Sequence, residues 1–199
     1  MRLLHTAVFC AISGTALLAG DAYVGIEYGA AINTHKFEAS GDIENTYHKD
    51  NDYKELKLKI GTGKDKKVKY QASFSVTSFD EGGFDEENEI LYVLELEVIK
   101  GFSINKYLYP YIKAGIGIGT MKVSGYTNDD SINGTSLSLG VGMTYKINKK
   151  FNVNVGIDQA YRRWEDLNYA YIDISSIEVG TIKTVDKIIK PYVGLSYRY

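Results

Sequence analysis

From Tyr23 onward, apolar and polar residues alternate one for one in eight separate stretches of the chain. Period two is the signature of a β-strand, whose successive side chains point to opposite faces. Tyr23–Thr34 sets Val24, Ile26, Tyr28, Ala30 and Ile32 against Tyr23, Gly25, Glu27, Gly29, Ala31 and Asn33. Tyr53–Thr62 sets Leu56, Leu58 and Ile60 against Glu55, Lys57 and Lys59. The same division runs through Lys67–Phe79, Glu89–Lys100, Tyr107–Val123, Thr135–Ile147, Phe151–Trp164 and Val185–Tyr199. In each, one parity suits an apolar surrounding and the other a polar one.

Length and spacing narrow the choice. Each stretch reaches the roughly 9–11 residues that a tilted strand needs to cross a bilayer, whereas strands of soluble proteins run to about 5–6. The connections alternate. Gly63–Lys66, Gly101–Lys106 and Asn148–Lys150 are short; His35–Asp52, Asp80–Asn88, Ser124–Gly134 and Glu165–Thr184 are long. Short turns on one side and long loops on the other are the habit of transmembrane barrels. A soluble sandwich also alternates, but it explains neither the lengths nor the asymmetry. The expectation is an all-β fold: a transmembrane up-and-down antiparallel β-barrel of eight strands over residues 23–199, both termini periplasmic. No run of 18 apolar residues follows residue 22, because barrel strands hide their lipid face in alternation. Pro191 removes a ladder donor and predicts a local bulge. Tyr169–Glu178, within the last long connection, carries strand-forming residues that suit a projecting hairpin.

Residues 1–22 have the order of a cleaved signal peptide. Arg2 is the positive start, Ala7–Ala19 the apolar stretch, and Gly20 and Ala22 a small-x-small site that places cleavage before Tyr23. The only cysteine, Cys10, lies in this segment. The mature chain then holds no disulfide and no cysteine metal site.

Composition adds three points. Seventeen Tyr and 20 Gly against 2 Pro fit strands with aromatic belts. Tyr70, Tyr145, Phe151, Tyr197 and Tyr199 fall at the periplasmic boundary of the lipid face, and Tyr92 and Tyr161 near the external one. A net charge of −2 gives no electrostatic case for nucleic acid. The inward parity nevertheless carries Glu27, Glu55, Glu95, Glu97 and Asp158 together with Lys57, Lys59, Lys69, Lys113, Lys190 and Arg198. Buried charges require partners, and an eight-stranded interior is just wide enough for side chains to fill. The reading is an ion-pair network that plugs the lumen, with a narrow ion path as the alternative. Gly115, Gly117, Gly119, Gly140 and Gly142 leave room for long Lys and Glu side chains, which favours the plug.

The loops carry the remaining chemistry. The first holds His35, Glu38, Asp42, Glu44, His48, Asp50 and Asp52, and the second is the acidic run Asp80–Asn88. Their spacing matches no EF-hand, so no metal or cofactor is expected. Tyr47, Phe84, Tyr126, Tyr169 and Tyr171 are loop aromatics placed for contacts with a partner. The mature chain has only two histidines, His35 and His48, and none of the nucleophile-elbow, phosphate-loop or helical zinc motifs. A Ser–His–Asp site can be assembled across loops, from His48 with Ser131 and Asp129 for example, as almost any barrel with loops permits.

The C-terminal run Pro191-Tyr-Val-Gly-Leu-Ser-Tyr-Arg-Tyr199 resembles the sorting signal of outer-membrane proteins: an aromatic last residue preceded by alternating apolar positions, here Val193, Leu195, Tyr197 and Tyr199. The mature chain as a whole, with glycine-rich strands such as Tyr109–Gly119, resembles the small eight-stranded barrels. These include the membrane domain of outer membrane protein A, outer membrane protein X and the opacity adhesins. The resemblance implies residence in the outer membrane of a Gram-negative bacterium and handling by the insertion machinery. It also implies contact with outer-membrane lipid and lipopolysaccharide, and four external loops that meet host or cell-surface ligands without catalysis. A narrow passive pore and a lipid A-modifying enzyme are the other two readings.

Overall fold

A computed structural model describes residues 21–42, 44–79, 90–122, 131–172 and 177–199. Among the described residues ten strands follow one another: β1 Ala22–Gly41, β2 Asn45–Asp50, β3 Tyr53–Thr62, β4 Val68–Phe79, β5 Ile90–Gly101, β6 Leu108–Lys122, β7 Ser131–Lys146, β8 Phe151–Trp164, β9 Leu167–Ile172 and β10 Ile177–Arg198. Eight of them, β1, β3 to β8 and β10, form an antiparallel ring, closed where β1 pairs with β10 from Tyr23↔Arg198 to Gly41↔Gly180. Closure leaves no open edge in the membrane, where an unpaired backbone group has no water to bond.

The alternation does the sorting that the sequence prescribes. In β3 and β5 nearly every second side chain is buried and its neighbours are exposed. The outward set (Ile26, Leu58, Ile116, Leu139 and Ile157 among others) remains 44–63% exposed in the isolated chain. Such a belt of bare aliphatic surface is stable only against lipid. Tyr70, Tyr145, Phe151 and Tyr199 stand at its periplasmic rim, Tyr92 and Tyr161 at the other, all exposed. Phe151, Tyr197 and Tyr199 touch edge to face, with centroids 5.1 and 5.4 Å apart.

The two short strands fall within long connections. His35–Asp52 is not a loop. β1 runs on to Gly41, turns there at φ 125°, and returns as β2, with Thr34↔Asp50 to Ala39↔Asn45 in register. In Glu165–Thr184 the strand-forming residues pair as the expected projecting hairpin requires: β9 pairs with the upper part of β10 from Leu167↔Ile182 to Ile172↔Ile177. β2 and β3 therefore act as one long strand interrupted at Asn51–Asp52, where the Asn51 N–H bonds the Asn33 carbonyl at 2.8 Å. β8 and β9 are interrupted in the same way at Glu165–Asp166. The result is a four-stranded sheet, β2-β1-β10-β9, that continues one side of the barrel beyond the apolar belt.

Pro191 produces no bulge. It faces Ile157 in an unbroken β8 register, Lys190↔Asp158 and Tyr192↔Gly156 on either side. Towards β1 the bridges lapse between Gly29↔Tyr192 and Ile32↔Ile189, yet the count of residues on the two strands stays equal. The missing N–H interrupts the ladder locally without inserting a residue, so the side chains keep their faces.

Candidate functional site

The lumen is filled in three layers. At the periplasmic end, Tyr23, Tyr111 and Tyr192 each lie across from a glycine of the adjoining strand, in the registered pairs Tyr23↔Gly61, Tyr111↔Gly142 and Tyr192↔Gly156. The Tyr23 hydroxyl donates to Gln71 at 3.0 Å, and the Tyr111 and Tyr192 hydroxyls are 2.7 Å apart. Arg198 binds Asp65 at 2.8 Å, and Lys69 approaches the same carboxylate at 3.5 Å. Asp65 lies in the β3–β4 turn, so strand parity gave no signal for it.

The middle layer is ionic. Lys57 binds Glu95 at 2.7 Å, Lys59 binds Glu27 at 2.9 Å, and Lys190 binds Glu55. Lys113 joins Glu97 and Asp158 at 3.1 and 2.9 Å. The Ser138 hydroxyl donates to Glu95, and Gln71 to Glu97. Of the eleven charged residues named above on the inward parity, all but Arg198 are buried. With Asp65 included, six cations face six carboxylates, so the layers carry no net charge. A cavity of only about 20 Å³ remains, near Glu27, Lys69 and Tyr192.

The outer layer departs from a wholly polar interior. Ala31, Tyr53, Phe79, Leu91, Val93, Met121, Ile132, Trp164 and Ile188 form one buried apolar cluster. Every strand of the ring contributes to it, so it spans the lumen from wall to wall. All of these residues lie on the inward parity at the external ends of their strands. Following that parity past the last charged residue of each strand would have found them.

Above the cluster His35 is fully buried, not a loop residue. It is bonded to Asp186, which also accepts from the Trp164 indole at 2.9 Å and faces Arg162 at 3.6 Å. Asn33 and Asn51 close on its other ring nitrogen at 3.2 and 3.3 Å. This knot ties β1, β8 and β10 together where the external sheet leaves the barrel. His48, by contrast, is exposed on β2. Ser131 is on β7, three strands round the ring from β1. Asp129, Phe84 and Tyr126 lie outside the described residues. Tyr47 is exposed and stacks on Phe37, with centroids 4.6 Å apart. Tyr169 and Tyr171 belong to β9.

The close tyrosine–glycine packing has a measurable consequence. A Cβ on Gly142 would sit 2.5 Å from the Tyr111 ring and 2.6 Å from the Val155 carbonyl, whereas one on Gly119 would meet nothing nearer than the Leu91 methyl at 3.1 Å. Gly142→Ala is expected to cost about 1–3 kcal/mol, and Gly119→Ala clearly less, in urea unfolding from phospholipid vesicles.

A closed antiparallel ring with an apolar outer belt, aromatic rims and a packed polar interior defines a small transmembrane β-barrel. The chain belongs to the outer membrane protein beta-barrel domain family, whose model matches residues 3–182, and its place is the Gram-negative outer membrane. Solved structures agree on the fold. Neisserial surface protein A is 13% identical, covers 89% of this chain and 97% of its own, and superposes with a TM-score of 0.58. For OprG from Pseudomonas aeruginosa the identity is 11%, the coverage 91% and 97%, and the TM-score 0.60. For the outer membrane protein AlkL the figures are 14%, 91% and 90%, and 0.52. No curated protein matches the chain.

Proposed function

We propose that this protein is a non-enzymatic surface barrel: a sealed scaffold that anchors an external sheet and loops for contact with other cells, host matrix or lipopolysaccharide. The observation that carries the reading is the apolar layer drawn from every strand of the ring. An ion crossing it would lose its hydration without gaining a partner, and the charges below it are already paired. The lumen therefore serves as a plug. The chain has invested instead in the four-stranded sheet above the belt, and rigid elements beyond a membrane are where recognition residues such as Tyr47 are placed to advantage. A lipid-modifying role fits poorly. One of the two histidines of the mature chain, His35, is fully buried and engaged with Asp186. We read residues 1–22 as the cleaved signal peptide. The outward face Val193, Leu195, Tyr197 and Tyr199 is the strand-edge signal offered to the insertion machinery; Val193, Leu195 and Tyr199 are 43–64% exposed.

Two assays test the reading together. In planar bilayers the purified protein is expected to produce no stepwise conductance. On whole cells, cutting both projecting hairpins back to the Thr34 and Lys187 level is expected to abolish adherence to epithelial monolayers and immobilised matrix. The heat-dependent gel shift of a folded barrel should survive the cut. Discrete channels in the first assay, or undiminished adherence of the shortened barrel in the second, would sink it. Replacing both histidines with Gln should leave the mass spectrum of lipid A unchanged.

A further inference from the structure

The outward face of the external sheet has an uneven distribution of charge. Its rows follow from the strand register. The last apolar row is Ile189↔Ile32, with Gln159 beside Ile189. The next is Tyr161↔Lys187↔Thr34, and the one above it Arg163↔Val185↔Lys36. Lys183 follows two residues further along β10, opposite Glu38. Val185 is thus ringed by four cations. Arg163 and Lys36 are directly across from it on the two neighbouring strands, and Lys187 and Lys183 stand two residues away on its own.

Burial confirms the direction of all four. Lys183 and Lys187 are exposed while Thr184, Asp186 and Ile188 between and beside them are 0–2% exposed. The Arg163 side chain is 61% exposed between buried Arg162 and Trp164, and that of Lys36 is 37% exposed between buried His35 and Phe37. Opposite and diagonal neighbours on a sheet lie about 5–8 Å apart, and like charges so placed repel. Among the described residues three carboxylates offset them on the sheet: Glu38, bonded to Lys36, Asp166, 3.5 Å from Arg163, and Asp50, which lies across from Thr34 and accepts from its hydroxyl at 3.0 Å. The Lys36 ammonium holds the Glu38 carboxyl below the usual carboxylate range. Elsewhere round the ring, the outward positions past the belt on β4, β6 and β7 begin with Ser78, Thr120 and Thr135, without charge, and the exposed cations there are one to a strand, Lys54 on β3 and Lys122 on β6.

We infer that Lys36, Arg163, Lys183 and Lys187 form a binding site for the phosphate of an outer-leaflet lipid headgroup. Four cations that repel one another, set immediately above the last lipid-facing row, are stabilised by a multivalent anion at that height. Arg163 offers a planar fork for phosphate, and the lysines offer mobile ammonium groups. The lipid is chosen over a dissolved anion because Ile32, Ile189 and Tyr161 continue the same face down into the belt, where the acyl chains of that lipid would lie. The inference does not depend on the adhesive reading, since it needs only the barrel in its membrane.

The test titrates the folded full barrel in detergent with diphosphorylated lipid A and counts bound lipid by native mass spectrometry at about 0.15 M ionic strength. Each basic residue near an anionic surface contributes about 1 kcal/mol, or about fivefold. With one charge left uncompensated, the K36Q/R163Q/K183Q/K187Q variant is expected to bind at least about fivefold more weakly. Lipid A stripped of its phosphates should bind the parent no better than the intact lipid binds the variant. K100Q, on the periplasmic side of the belt, should change nothing. The heat-dependent gel shift reports folding; if the fourfold variant fails to fold, K183Q/K187Q serves, with a loss of about fivefold or more. Equal affinity of variant and parent, or equal binding of the phosphate-free lipid, overturns the proposal. Capture of inorganic phosphate alone at the same residues overturns its lipid source.

Discussion

Lys113→Met is expected to destabilise the barrel by about 3–5 kcal/mol, among the largest losses any single substitution here should produce. Lys113 is the one cation that bridges Glu97 and Asp158, at 3.1 and 2.9 Å in a fully buried layer. Met keeps the unbranched stem, one atom shorter, and removes the charge. Asp158 then loses its ion-pair partner, and Glu97 retains only Lys57 at 3.9 Å and the Gln71 amide. Taking charges out of water costs as much as their attraction returns, so the pair is not in itself a strong source of stability. The penalty comes from breaking it. K113M/D158N should accordingly recover most of the loss, because five cations then face five carboxylates. Urea titration in phospholipid vesicles, followed through the fluorescence of Trp164, the only tryptophan of the chain, measures both. A single substitution with no effect would mean that water reaches Glu97 and Asp158 freely and that the lumen is not dry.

Which side of the wall each residue faces was legible because strand geometry has a period of exactly two and the belt is apolar almost without exception. Height along the strand was not. Parity places Glu55 and Tyr53 on the same face, and Trp164 on the face of Asp158, but the change from charge to apolar packing appears only when all eight strands are aligned. That alignment depends on the stagger of the closed ring, a tertiary property. Strand-forming residues over Tyr169–Glu178 announced the pairing of β9 with β10; the β1–β2 hairpin escaped, for a different reason. A strand in water on its outer side has no lipid to satisfy, so β2, Asn45-Thr-Tyr-His-Lys-Asp50, shows no apolar alternation at all. It is a strand because β1 continues upward and supplies the partner. His35 reads as one charge in an acidic loop until Phe37 and Ala39 are seen to continue its face. Asp65 reads as an ordinary turn acid, and only the return of β10 brings Arg198 to it.

Trp164→Ala separates the two ways in which the lumen is sealed. The indole is 1% exposed at the centre of the apolar layer, and its N–H donates to Asp186 at 2.9 Å. Removing it leaves a cavity and takes one donor from a buried carboxylate, for an expected loss of about 3–5 kcal/mol. The midpoint of the heat-dependent gel shift in urea reports this without needing the fluorophore. Conductance should nevertheless stay at zero. The ion pairs beneath lie between the same strands, and each Lys in them is already held by a carboxylate, so an ion that enters the vacated space meets no open path. If the variant conducts, the apolar layer alone is the gate and the ionic layer is permeable. If it unfolds more readily but stays silent, the two layers seal independently. The sequence pattern then has a physical reading: the apolar layer excludes water from the external side, and the paired charges below it keep the interior closed when that layer is damaged.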